Sequence, residues 1–136
     1  MIAIDTSAVV AMFLREPGHN AITDIVDGTE RAYLSVASRV ELVSVLCGRR
    51  VGAEPARVRD YIDDLELEHV PISVEQMHLA IAALLTYGRG RHPARLNLGD
   101  CFAYALAKAL DAPLLFKGDD FLKTDIVPAW SPKPKP

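Results

Sequence analysis

The chain lacks most of the features that announce a compartment, a cofactor or a nucleotide. It has two cysteines in 136 residues, Cys47 and Cys101, far apart and without metal-type spacing. Neither a disulfide scaffold nor a thiolate metal site is expected, and buried thiols in a reducing cytoplasm are. No apolar run approaches the ~18 residues needed to cross a bilayer. The start, Met1-Ile2-Ala3-Ile4-Asp5, has no basic stretch ahead of its apolar residues, which argues against a secretory signal. There is no P-loop, no G-x-G-x-x-G and no internal repeat, and His19, His69, His78 and His92 share no metal spacing. Basic excess is missing too. Fifteen Lys and Arg against eighteen Asp and Glu give a net charge of −3, which alone argues against a polyanionic partner. If four acids were committed to a metal site, however, the remainder would be slightly basic, so such a partner is not excluded.

What is present fits one compact domain over residues 1–130, with a Pro- and Lys-rich tail at 131–136. Half the residues are hydrophobic and 24% are charged, the balance of a globular chain with a substantial core. Short apolar runs alternate with helical patterns. Ile2-Ala3-Ile4 reads as a buried strand. Thr6 and Ser7 can cap a helix over Ala8–Arg15, which Pro17-Gly18 ends. A second helix spans His19–Val26, and Ala32-Tyr33-Leu34 reads as the next strand. Ser35 or Ser38 caps a helix reaching about Arg49, with Val36, Val40, Val43 and Cys47 as an apolar stripe that Leu42 and Leu46 widen. Val58, Tyr61, Ile62 and Leu65 mark a further helix. His69–Ile72 reads as a strand whose Pro71 suggests the sheet edge, and Ser73-Val74-Glu75-Gln76 launches a helix to Thr86. Asn97-Leu98-Gly99 reads as a turn, Asp100 opens the helix Cys101–Leu110, and Leu114-Leu115-Phe116 forms the last strand. This order predicts a three-layer, Rossmann-like α/β domain with a short, mainly parallel sheet flanked by helices.

In a parallel sheet, strand ends and the starts of the following helices meet on one side, where open α/β sheets bind ligands. Asp5 follows the first strand and Asp119-Asp120 follow the last. Asp100 opens one helix, and Glu41 lies inside an apolar one, where an unpaired carboxylate is costly. Gathered carboxylates repel and raise one another's pKa unless a cation neutralises them. Hard oxygen donors in that number suit Mg²⁺ or Mn²⁺. Such an ion can activate water and neutralise charge on a phosphodiester. Taken singly, Asp5, Asp100 and Asp119-Asp120 read as caps and turn residues; together, on this frame, they point towards a metal site.

The residues also carry a family resemblance. Ile4-Asp5-Thr6-Ser7-Ala8, Val40-Glu41-Leu42, Leu98-Gly99-Asp100-Cys101 and Leu115-Phe116-Lys117-Gly118-Asp119-Asp120-Phe121, in that order, make the chain resemble PIN-domain ribonucleases of the VapC toxin class, over nearly its whole length. The resemblance implies metal-dependent endoribonuclease activity with Mg²⁺ or Mn²⁺, inhibition of translation, and neutralisation by a small VapB-type antitoxin. It implies a homodimer and a toxin–antitoxin hetero-oligomer as well. Asp5 and Asp100 would be the principal metal ligands, with Glu41 beside them or acting through water. Asp119 would be the fourth acid, with Asp120 as its alternate; many relatives place this acid two residues after a Thr, a local pattern replaced here by Lys117-Gly118-Asp119-Asp120. Thr6 or Ser7 resembles the family's hydroxyl beside the metal. Arg39, Arg91, Arg95 and Lys117 are candidates for holding RNA, each with solvated surface charge as the ordinary alternative.

Two other readings compete. A phosphotransfer domain with Asp5 as nucleophile would want a second acid close after it, and Thr6-Ser7-Ala8 supplies none. A PIN-like scaffold that binds RNA or a partner without cutting would not need four acids. The sequence names neither the RNA nor the cleavage site.

Overall fold

The computed structural model describes residues 1–132; the rest of the expected tail lies outside the described residues. The strands are β1 (Ile2–Ile4), β2 (Ala32–Ser35), β3 (Glu68–Val70) and β4 (Leu114–Leu115). The helices are α1 (Thr6–Leu14), α2 (His19–Gly28), α3 (Val36–Leu46), α4 (Pro55–Asp64), α5 (Val74–Tyr87) and α6 (Leu98–Leu110), and a 3₁₀ turn follows at Asp120–Lys123. The sheet order is β3-β2-β1-β4 with every pairing parallel. β3 is thus an edge strand, and Pro71 falls just beyond it, where no ladder donor is needed.

Alternation along the strands builds two cores. Ile2, Ile4, Leu34 and Leu115 pack towards α1–α4, while Ala3, Tyr33 and Leu114 pack towards α5 and α6. Both faces of the sheet are covered, as parallel sheets require. After the 3₁₀ turn the chain returns to β4, where Leu114 N donates to Val127 O and Ala129 N to Leu114 O, both at 2.9 Å. Trp130 then lies over Gly18, whose φ is +91° and where a Cβ would come within 2.9 Å of the indole. No helix among the described residues is long and apolar enough to cross a membrane.

Three local expectations are corrected. α1 begins at Thr6, capped by the Asp5 side chain rather than by Thr6 or Ser7. α6 begins at Leu98, so Asn97-Leu98-Gly99 is not a free turn, and Asp100 is the third helical residue of a reciprocal capping box with Asn97. On α3, which ends at Leu46 with Ser35 as its cap, the buried line is Ser38, Leu42 and Leu46. Val36, Val40 and Val43 are instead 38%, 71% and 41% exposed. That helix is apolar on several sides, so periodicity could not choose its inner face. The longer leucines reach the core, and a serine disguises the line they lie on.

Candidate active site

The sheet order reverses direction at β1. The chain moves from β1 outward to β2 and β3, then crosses back to place β4 on the other side of β1. The carboxyl ends of β1 and β4 therefore flank the switch point, where such sheets form a crevice. A cleft of about 450 Å³ opens there, lined by Asp5, Thr6, Ser7, Val10, Glu16, Glu41, Val45, Asn97, Asp100, Lys117 and Gly118. Four elements converge on it: the β1–α1 junction, α3, the start of α6 and the segment after β4.

Asp5 sits at the bottom, 3% exposed. Its amide is held by Leu115 O at 2.9 Å, and its Oδ2 accepts from Ser7 N at 3.0 Å. Its other oxygen, Oδ1, is buried with no hydrogen-bond partner, and so is Thr6 Oγ1. Burial is the main reason the Asp5 carboxyl is pushed up to about 7. The Ser7 hydrogen bonds pull the other way, and the charges of Asp100 and Glu41 add to the rise. Asp100 is pushed up to about 6, again mainly by burial. Its hydrogen bond from Asn97 N opposes this, Asp120 and Glu41 reinforce it, and Arg89 relieves it.

Glu41 reaches the same cleft from α3, and its carboxylate lies against the backbone of Gly99, where any Cβ would overlap it. Thus α3 and α6 meet at a carboxylate resting on a glycine. Among the described residues, no three His, Cys, Asp or Glu side chains are clustered tightly enough to cage a metal ion as they stand. The physical reason is local. Asp5 and Asp100 each spend one oxygen on a helix-start amide, and like charges without a cation keep apart. The donor set nevertheless fits a hard divalent cation. An orphaned buried oxygen of Asp5, two further carboxylates and two carboxyl groups that resist ionising all call for positive charge.

Asp119 and Asp120 are both exposed, and of the two it is Asp120 whose charge reaches Asp100. The remaining expected residues scatter. Arg39 turns to α4 and β3, with Nη2 3.0 Å from Asp63 Oδ1 and Nη1 3.1 Å from His69 Nε2. Arg91 and Arg95 are exposed in the loop before α6. Lys117 lines the cleft, its amide donating to Ser7 Oγ at 2.9 Å and its Nζ 3.4 Å from Glu16 Oε1. Sequence reasoning passed over three residues. Asn97 is readable in hindsight, since Asn-x-x-Asp before an apolar helix is a capping-box pattern. Arg89 and Glu16 carry no such signal; Glu16 arrives only because α1 ends in a left-handed turn at Arg15.

The PIN domain family model matches residues 2–127. Ribonuclease VapC42 of Mycobacterium tuberculosis is 41% identical over 128 residues, covering 93% of this chain and 97% of the relative. Two solved structures share the fold at 16% identity. VapC20 of M. tuberculosis, described as a sarcin–ricin-loop-cleaving toxin, superposes with a TM-score of 0.72 over 93% of this chain and 97% of its own. VapBC2 of Rickettsia felis, bound to a DNA fragment from its promoter, gives 0.67 over 96% and 100%. The chain belongs to the PIN-domain family and, within it, to the VapC ribonucleases.

Proposed function

We propose that the chain is the toxin of a toxin–antitoxin pair and acts as an Mg²⁺- or Mn²⁺-dependent endoribonuclease. The observation that carries this reading is the buried, unpartnered oxygen of Asp5 in a cleft shared with Glu41 and Asp100. Asp5, Asp100 and Glu41 would hold the ion, with Asp120 rather than Asp119 as the fourth acid, since it is the Asp120 charge that is felt at Asp100. When bound, the ion supplies Lewis acidity towards a phosphodiester and its attacking water.

The chain's own residues do the positioning. Ser7 N orients the Asp5 carboxylate, and Ser7 Oγ ties the end of β4 to the start of α1. Thr6 Oγ1, buried and without a partner, offers a hydroxyl next to Asp5. The Asn97 capping box fixes where Asp100 leaves α6. Gly99 gives the Glu41 carboxylate its seat. Arg89, which moderates the Asp100 charge, joins Arg91 and Arg95 on a loop suited to holding a strand.

A VapB-type antitoxin and a second toxin copy are the partners this reading expects. Exposed apolar faces suit them: Val36, Val40 and Val43 on α3, and Val74, Met77, Ile81 and Leu85 on α5. The scattered state of the acids is the one observation favouring a non-catalytic scaffold. Titration calorimetry with Mn²⁺ separates the two, because a scaffold leaves millimolar metal unbound. For the enzyme, Asp5→Ala and Asp100→Ala remain folded but no longer cleave, and mapping RNA ends after induction of wild type and Asp100→Ala identifies the substrate. Wild-type cleavage by either folded variant would overturn the assignment.

A further inference from the structure

The acidic cleft is also lined by a cation, Lys117, and by a further anion, Glu16. Lys117 lines the same cleft as Asp5, Glu41 and Asp100, and an ammonium on a four-carbon stem is drawn to such a cluster. Its Nζ is instead 3.4 Å from Glu16 Oε1. The backbone of Lys117 is fixed, with its amide on Ser7 Oγ at 2.9 Å, so only the side chain can change partner. The ion pair is long for a charge-assisted hydrogen bond. Its members are 28% and 37% exposed, and a pair so placed adds little in water and is easily exchanged.

The location matters as much as the distance. Val10, Glu16 and Val45 line both the catalytic cleft and a second groove between α1 and α3, which continues to Arg49 and Arg50. A strand leaving the acids along this groove passes the pair.

We propose that Glu16 is a positioning residue. It holds the Lys117 ammonium at the mouth of the cleft, out of the position a divalent cation would take, and releases it to a phosphate of the bound RNA. The proposal rests on the ribonuclease reading above.

Its test is a mutant cycle on the full chain, read by Mn²⁺ calorimetry and by cleavage of a single-stranded RNA oligonucleotide. Glu16→Gln frees the ammonium to enter the cleft and weakens Mn²⁺ binding about tenfold, the scale of lost outer-shell support. In a Lys117→Met background the same change has less than about a threefold effect, because nothing remains to intrude. Equal losses in both backgrounds mean a simple field effect and overturn the proposal. In cleavage, Lys117→Met raises KM about fivefold and lowers the salt slope by ~0.7, the value for one phosphate contact on a single strand. There kcat changes little, and Lys117→Arg restores KM. An unchanged salt slope also overturns the proposal. A wild-type chain that neither binds Mn²⁺ nor cleaves RNA would overturn the ribonuclease reading itself.

Discussion

The Glu41 carboxylate occupies the space that a side chain at residue 99 would need. Gly99 is the second residue of α6, and its backbone is in the ordinary helical range rather than at positive φ. Glycine costs a helix roughly 1 kcal/mol relative to alanine, so Gly99→Ala would be stabilising were the space free. Here the new methyl displaces the far end of a flexible Glu side chain, which moves without disturbing the core. Unfolding stability of Gly99→Ala is therefore expected to stay close to wild type. RNA cleavage falls about tenfold or more, as when a support for a metal ligand is removed. A drop in stability with cleavage intact would contradict this account of the glycine.

Asp119 and Asp120 can be told apart by single substitutions. Asp120→Asn is expected to lower cleavage and weaken Mn²⁺ binding, since its charge is felt at Asp100. Asp119→Asn, at an exposed position before the 3₁₀ turn, is expected to leave both near wild type. The reverse result, measured by calorimetry and cleavage assay on the same preparations, would return the fourth-acid role to Asp119.

The metal-free protein should become less stable as pH rises. Asp5 and Asp100 keep their protons up to about 7 and about 6 in the folded state, whereas carboxyls in the unfolded chain titrate near 4. The folded form thus binds these protons more tightly. The stability they contribute is complete below about pH 4 and is lost as pH rises through 6 and 7, with a slope approaching ~1.4 kcal/mol per unit for each group. Chelator-treated protein followed by thermal unfolding from pH 5 to 8 shows the fall, Asp5→Asn flattens it, and added Mn²⁺ reverses it. Stability rising over that interval in chelator would be inconsistent with the burial of these acids.

The facing of α3 is open to a paired test. Leu42→Ala empties a fully buried position and is expected to cost ~2–5 kcal/mol in denaturant unfolding. Val40→Ala, 71% exposed, should stay within about 0.5 kcal/mol in the monomer. Comparable losses at both positions would restore the valine stripe as the inner face.

The amino-acid sequence determined what local physics controls. Short apolar runs alternating with helical patterns dictated a parallel sheet covered on both faces. The run-ending acid Asp5, the carboxylate of Glu41 stranded in an apolar helix and Asp100 near a helix start were legible for the same reason, because charge next to buried sequence must be explained. Tertiary structure alone decided which sides of the helices turn inward, since α3 is apolar on several sides and only packing against its neighbours selects Leu42 and Leu46. It also decided which cations serve the site. Arg39 is two residues from Glu41 in sequence, yet on a helix that spacing points it away, to Asp63 and His69. Glu16 and Lys117 are 101 residues apart, and only a left-handed turn after α1 and the crossing of the chain back to β4 bring their charges together.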